Sequence, residues 1–553
     1  MMDLVAIIII VSSYIDYRIV GILGVRLNWQ VLTMCDDPGQ LWKLFSKYIN
    51  LNLILSFTLL MTGFKLLQLV ISNKMDYFYK TRKSWISFFL MLLVLSCVKP
   101  MLFFEDKASG QAITNVFITS PLITLNKNIL MDSKKFNKSA ENLGLFKKTI
   151  TDNSKSQKMN LVFILLESSH TRYLSLFNGK SETQPLLRKY IDRMELFCNF
   201  YSTYPDSMHA RFSCFNSLYS PKKYITYINP DIKCPSLFEV LKQNGYTTSM
   251  FYSSFRTYTR FKDYLKNRKL DEFYDFSNMP HREKYPFFAW GVDEKSSLLA
   301  ISDKIEKYGK SKKPFFLTYI PAAPHYPYDN KNPRFSKFTD KNSNQLLNRY
   351  KNDLLFMDWI QYEIINKLQE CKLLDNTLIV ITSDHGERLA ENGLIGHGWD
   401  LTPELCQIPL IILNPKNKGY KLNHTPGTQV DLLKTILDLL SINIPQNVIY
   451  EGESLYRCNN NRTLYFTSGN ENGLLKGKKF YRQRKFEKSD ELDVYTISFN
   501  ENRTDFSKPV SIIDSKIGDL LLEFSVFQES LIINYSHYLN LFRERKILIN
   551  LHD

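Results

Sequence analysis

The sequence predicts an α/β protein with a mostly parallel central sheet and helices on both faces, preceded by a transmembrane helical region. Three observations predict it. Before residue 105 the chain carries apolar runs long enough to cross a bilayer. From Asn160 to about residue 450, short apolar β-rich runs alternate with helical patterns, as strand–helix–strand crossovers require. Within Thr377–Leu413, two such runs (Leu378–Ile381 and Ile408–Leu413) flank a polar loop that gathers carboxylates and imidazoles.

Taken in order, Leu4–Leu23 is apolar apart from Ser12, Ser13, Tyr14, Asp16, Tyr17 and Arg18. Leu51–Ile71 has Lys65 as its only charge, and Trp85–Phe104 has Lys99 close enough to one end to snorkel. The first run lacks a basic start and further spans come after it, which argues against a cleaved signal peptide. Lys74, Lys80, Arg82 and Lys83 lie between the second and third runs, so that loop is expected on the cytoplasmic side. The third span then leads outward. The expectation is a multi-pass protein of the plasma (inner) membrane whose catalytic part, beyond Phe104, faces the periplasm or the outside. Residues 105–159 read as a linker with interfacial helices, 160–450 as the catalytic domain, and 451–553 as a C-terminal subdomain that completes it along one edge.

Inside the catalytic part, the expected strands are Leu161–Leu166, Leu196–Tyr201, Thr247–Tyr252 and Phe315–Ile320, besides the two already named. The expected helices are Pro235–Asn244, the long amphipathic Asn348–Leu373, and Gln429–Leu440. Beyond Tyr450 the pattern weakens: Thr463–Thr467 and Leu492–Ser498 read as strands, and Ile512–Tyr538 mixes helix-like runs. The net charge of +16 comes mostly from lysine with acidic residues interspersed, and no compact basic block or nucleic-acid motif is present. Nucleic acid is therefore not an expected partner. A basic face toward anionic lipid and a plain solvated lysine-rich surface both account for the charge. None of the eight cysteines forms a CxxC pair, against a cysteine zinc module; Cys214 and Cys234 could pair outside the cytosol, but spacing alone does not show it.

The chemistry concentrates at strand ends. Asp384-His385 comes after the Leu378–Ile381 run, with Gly386 permitting a tight turn; a carboxylate and imidazole there can reach one cation beyond the carboxyl edge of a sheet, whereas in isolation Asp384 reads as a helix cap and His385 as a surface histidine. Glu167 comes after Leu161–Leu166, where it either binds metal or lies in the first turn of a following helix that Ser168, Ser169 and Thr171 would cap. Ser207, in Tyr204-Pro205-Asp206-Ser207-Met208-His209, sits near a helix N-terminus; it is an N-cap or a nucleophile beside bound phosphate or sulfate. His325 comes after Phe315–Ile320 between prolines, and His397 lies 12 positions after His385. Imidazoles so placed can donate to a bound anion or protonate a leaving group. The aromatic-rich loops 252–264 and 274–288 either shape a cleft beside these residues or are plain surface loops with buried rings.

This order of residues, with Ser383-Asp384-His385-Gly386-Glu387 and the later His397-Gly398, resembles the alkaline phosphatase/sulfatase superfamily. Within it the sequence is similar to membrane-anchored phosphoethanolamine transferases and lipoteichoic acid synthases, from about Asn160 to Ile444. Pro235–Phe251, Trp290–Leu298 and Val430–Ile442 support the likeness. The resemblance implies one divalent ion, zinc or manganese, held by Glu167, Ser207, Asp384 and His385. It implies Ser207 as nucleophile, with His325, His397 and Arg211 toward the phosphoryl group. It further implies a membrane phospholipid as donor and an envelope glycan or lipid as acceptor, joined through a phospho-serine. Three departures bear on this. The transferases usually carry threonine where Ser207 stands. Ser207-Met-His-Ala-Arg211 resembles the sulfatase signature of a nucleophile followed four positions later by arginine, but His209 replaces the usual proline. The relatives carry five spans where this sequence shows about three. A sulfatase or phosphodiesterase-type hydrolase is therefore the competing expectation, favoured by Arg211, and a non-catalytic envelope protein a third.

Overall fold

The computed structural model describes residues 158–521 with breaks at 221–233, 257–260, 289, 312, 329–331, 341–343, 390–394, 399, 445–447, 449, 469–470, 485–490 and 501–502, together with Thr58, Thr62 and Phe524. The expected spans 4–23 and 85–104, the linker up to residue 157, and all of 51–71 except Thr58 and Thr62 lie outside the described residues. Those two are helical, and the Thr62 hydroxyl donates to the Thr58 carbonyl. No helix of the described residues is long and apolar enough to cross a membrane. The chain divides into two compact units, Met1–Asp132 with Ala390–Ile395 and Ser133–Leu389 with Gly396–Asp553. The second unit carries the α/β sheet.

Its centre is a mixed eight-stranded sheet. The strands are β1 (Asn160–Leu166), β2 (Met194–Phe197), β3 (Thr247–Tyr252), β4 (Glu272–Tyr274), β5 (Phe315–Ile320), β6 (Thr377–Ser383), β7 (Leu410–Leu413) and β8 (Lys421–Asn423). They lie in the order β8-β2-β7-β6-β1-β5-β3-β4. The run from β6 to β4 is wholly parallel, whereas β7 is antiparallel to both of its neighbours. β1 is buried along its whole length, so it reads as unbroken apolar sequence. Alternate side chains serve opposite faces. Leu161, Phe163 and Leu165 pack with helices α1 (Ser207–Asn216), α2 (Leu237–Gln243) and α5 (Leu432–Leu439). Val162, Ile164 and Leu166 pack with α3 (Glu294–Gly309) and α4 (Gln345–Glu370). Helices thus cover both faces, as the alternating pattern predicts.

The expected strand Leu196–Tyr201 is broken: β2 ends at Phe197, Cys198-Asn199 intervene, and Phe200–Tyr201 pairs instead with Gly427–Thr428. Beyond Tyr450, five strands from Thr463 to Phe506 form an antiparallel sheet, and Val510–Ile513 pairs with its Glu491–Asn500 strand. Leu464, Phe466, Leu475, Phe480, Tyr495 and Ile497 bury themselves there against Tyr201, Leu401 and Cys406. Cys214 and Cys234 are both buried, and no disulfide joins them.

Candidate metal centre and active site

Strand register builds the first half of the site. β1 and β6 are parallel neighbours with Leu166 opposite Ser383, so the next residues, Glu167 and Asp384-His385, emerge side by side at the carboxyl edge of the sheet. β5 flanks β1 on its other side and leads through Pro321-Ala322-Ala323-Pro324 to His325. Ser207 is the first residue of α1, whose N-cap Asp206 accepts from the His209 N–H. Unpaired N–H groups and the helix dipole favour a bound anion at that end. His209, where the resembling signature carries proline, stacks on Tyr204 at 3.8 Å and puts Nδ1 2.7 Å from Asp206. It pins the turn into α1 by contact, where a proline would do so by its ring.

These groups converge on one point. Ser207 Oγ lies 3.4 and 3.5 Å from the two Glu167 carboxylate oxygens and 3.3 Å from His385 Nε2. His385 Nε2 is 3.7 Å from Glu167 Oε1 and 3.6 Å from Asp384 Oδ2. Ligands arranged tetrahedrally around an ion at metal–oxygen distances stand roughly 3.3–3.6 Å apart. The four residues therefore fit a single divalent ion, and Glu167, Asp384 and His385 lie close enough together to share one. The electrostatics point the same way. Burial, then the neighbouring Asp384 carboxylate, push the Glu167 pKa well above the usual range. Burial also works against ionised Asp384, but His385 and Arg211 hold its pKa below the ordinary value. Two buried carboxylates this close need positive charge between them.

Outer contacts aim the inner groups. Asp384 Oδ1 accepts the N–H of Ser168 at 2.9 Å and of His385 at 2.8 Å, leaving Oδ2 on the His385 side. His385 Nδ1 is 2.8 Å from the Gly386 carbonyl; with the proton assigned to Nδ1, the Nε2 lone pair faces the centre. A Cβ on Gly386 would stand 2.1 Å from the Glu404 carbonyl oxygen, so only glycine fits. Ser168 holds φ at 47°, a left-handed conformation costing roughly 1–2 kcal/mol, and its hydroxyl donates to Glu167. The helix expected after Glu167 is absent for that reason: the chain turns at Ser168 into two short 3₁₀ turns, Thr171–Tyr173 and Ser175–Phe177, the first capped by His170. Ser168 and Ser169 therefore do not act as caps. Ser169 instead takes its partners from Ser383 and the Glu167 carbonyl, tying β1 to β6.

The second half of the site is made by loops. The His397 ring lies 4.0 Å from that of His385, and the His325 ring is 5.9 Å from that of His397. His397 Nδ1 sits 3.2 Å from both oxygens of the buried Glu387. Burial disfavours the imidazolium, but Glu387 outweighs it and holds the His397 pKa up at about 9. His325 goes the other way: burial, then the charge of His397, push its pKa down to about 4. Its Nδ1 is 3.0 Å from the Tyr326 carbonyl. Arg211 is buried behind Glu167, with Nη2 3.6 Å from the carboxylate and Nη1 donating to the Tyr252 hydroxyl at 3.1 Å. In the sequence Glu387 stood out only as part of a motif; its signal was an acid two residues beyond His385, just before a loop with a second histidine.

The fold is that of the alkaline phosphatase superfamily: a mixed sheet between helical layers, with its polar site at the carboxyl ends of adjacent strands. The Sulfatase family profile matches residues 159–442, and the chain belongs to that family. Among curated relatives, the lipoteichoic acid synthase-like YvgJ of Bacillus subtilis (strain 168) is 26% identical over 312 residues, 54% of this chain and 49% of the relative. Lipoteichoic acid synthase of Staphylococcus aureus (strain USA300) is 26% identical over 408 residues, 69% of this chain and 60% of the relative. The matched stretch thus spans about half to three fifths of these relatives' length. An alkaline phosphatase superfamily protein from Vibrio parahaemolyticus superposes with a TM-score of 0.56 at 17% identity, covering 70% of this chain and 89% of that one. The lipoteichoic acid synthase LtaP from Listeria monocytogenes gives 0.53 at 17% identity, covering 68% and 92%.

Proposed function

We propose that this protein is a membrane-anchored, metal-dependent phospho-group transferase. It moves a phosphoglycerol- or phosphoethanolamine-type head group from a phospholipid to an envelope glycan or lipid, with the catalytic part outside the cytoplasm. The observation that carries the reading is Ser207 Oγ, at the start of α1 and 3.3–3.5 Å from Glu167 and His385. Relatives described as lipoteichoic acid synthases favour transfer over hydrolysis.

Glu167, Ser207, Asp384 and His385 would hold one ion, zinc or manganese. When bound, that ion lowers the pKa of the serine hydroxyl and offsets negative charge on the phosphoryl group. Ser207 Oγ, its proton already released to solvent, attacks phosphorus and the ester bond to the lipid alcohol breaks. The charged His397, held by Glu387, gives the departing oxygen its proton. In the second half, an acceptor hydroxyl attacks phosphorus, its proton passes by way of His325 Nε2 to the His397 left neutral by the first half, and the serine oxygen leaves as it entered, without its proton. The assignment rests on opposite environments: His397 is paired with a carboxylate, whereas His325 Nδ1 lies against the Tyr326 carbonyl, which with the proton assigned to Nδ1 leaves Nε2 as the nitrogen able to accept a proton. Arg211, directed at Glu167 and Tyr252, supports the carboxylate pair and gives the sulfatase reading no specific contact.

The test is to incubate the full chain with phosphatidylglycerol or phosphatidylethanolamine vesicles and map peptides by mass spectrometry. The expected result is a head-group phosphate on Ser207, absent from Ser207→Ala. An unmodified Ser207 together with inorganic sulfate release from an aryl sulfate would favour the hydrolase instead.

A further inference from the structure

Glu294 is a buried acid with no part in the chemistry above, and its surroundings are unusual for the first residue of a helix. Asp293 caps α3 in the ordinary way, accepting from the Lys295 N–H at 2.9 Å. Glu294 turns inward and is fully buried. One oxygen accepts the backbone N–H groups of Ala322 at 2.7 Å and Ala323 at 3.1 Å. The other accepts the hydroxyls of Ser253 and Tyr319. Ala322 and Ala323 lie just past the end of β5, three and two residues before His325. Both residues are buried, so without Glu294 their N–H groups would stand unpaired in the interior.

The same short segment also grips the far side of His325. Trp290 Nε1 donates to the Tyr326 carbonyl at 2.6 Å, and its ring lies 4.1 Å from the His325 ring. The segment is pinned at Ser253, whose carbonyl accepts the Val292 N–H at 2.9 Å. Gly291 makes that approach possible, since a Cβ there would stand 2.0 Å from the Ser253 oxygen. One stretch, Trp290–Glu294, therefore closes on the loop before and after the histidine.

We infer that Glu294 is a positioning residue for His325: its carboxylate, with the Trp290 indole on the other side, fixes the loop that aims the imidazole at the reacting group. Four donors converge on this one carboxylate, two of them from the backbone that leads into His325. A 1 Å misplacement of a group in proton-transfer range lowers rate by about 10²-fold.

The rate readout rests on the phospho-Ser207 reading, so the experiment separates the two. Full-length wild type, Glu294→Ala, Glu294→Gln, His325→Ala and the Glu294→Ala/His325→Ala double variant are loaded with one divalent ion per chain. They are then followed by labelling of Ser207 from phosphatidylglycerol vesicles and by backbone amide exchange across 321–328. Expected are a roughly 10²-fold slower rate in Glu294→Ala, less than about 2-fold further loss when the same change is added to His325→Ala, and unchanged ion content. Glu294→Gln should recover most of the rate, since its amide oxygen still accepts the two N–H groups. The Ala322 and Ala323 amides should exchange faster in Glu294→Ala. Equal losses with and without His325 would overturn the inference, as would unchanged exchange at 322 and 323. Should Glu294→Ala not fold, Trp290→Phe replaces it, with a several-fold loss that must disappear in the His325→Ala background. If wild type itself never labels Ser207, the transferase reading fails, and the exchange measurement alone decides the role of Glu294.

Discussion

The two halves of the site are held in different ways. Glu167, Asp384 and His385 ride on the ends of adjacent parallel strands, and the Leu166–Ser383 register alone brings them together. His325 and His397 ride on loops, and each needs a buried acid: Glu387 touches His397 itself, while Glu294 grips the backbone ahead of His325. Strand-borne groups are fixed by the core, so on the proposed reading a substitution there would remove a ligand and little else would move. Loop-borne groups are fixed by a few hydrogen bonds, so a change in the supporting acid moves the imidazole and leaves the ion.

That contrast is sharpest in Asp384→Ala. The variant should drop from about one divalent ion per chain to none and lose at least about 10³-fold in rate, because ion binding and nucleophile activation fail together. Elemental analysis of the purified protein checks it. An alanine variant that keeps its ion would break the strand half of the comparison. Gly386→Ala tests the same half through the backbone. With the Glu404 carbonyl 2.1 Å from the added Cβ, the loop after β6 must shift, and we expect about 3 kcal/mol or more of lost stability in denaturant melts.

Glu387→Gln probes the loop half. An amide cannot hold the imidazolium as a carboxylate does, so rate should fall about 10–100-fold while ion content stays near one per chain. Loss of the ion in this variant would show that the halves are not separable.

The strand half was also the half legible in the sequence. β1, β5 and β6 are buried on both faces, so each appears as an unbroken apolar run, and the residues just past such a run stand at the sheet edge. On that ground Glu167 and Asp384-His385 stood out as candidates, each with a plain structural alternative, while His325 and His397 stood out only as histidines in loops after strands; it was their order together that pointed to one site. Contact between distant segments was not legible. Glu294 drew no reading of its own within Trp290–Leu298, because nothing local says that Ala322 and Ala323 lie beside it. Ser168 looked like a cap, since serine carries no mark of a left-handed φ. β7 matched its neighbours in composition, and its reversed direction depends on the connection through 384–409 rather than on its own residues.

One further residue tests whether a buried carboxylate gripping two backbone N–H groups matters only beside the chemistry. Asp358, on the inner face of α4, accepts the N–H groups of Leu186 and Leu187, both at 2.8 Å, much as Glu294 accepts those of Ala322 and Ala323. Burial pushes its pKa up to about 7, against an ordinary value of 3.8. Linkage sets the sign. Below about pH 4 both folded and unfolded chains hold the proton, and the contribution to stability is fully present. Between about pH 4 and 7 the unfolded chain has released it while the folded one keeps it, so rising pH favours unfolding. Above about pH 7 both are ionised and the slope vanishes. Asp358→Asn cannot titrate, so its melting temperature should gain on that of wild type as pH rises from 4 to 7, with catalytic rate unchanged at either end. A gap that moves in the opposite direction would mean that the two N–H groups, rather than burial, set the proton affinity of this carboxylate, and Glu294 would then have to be judged in the same way.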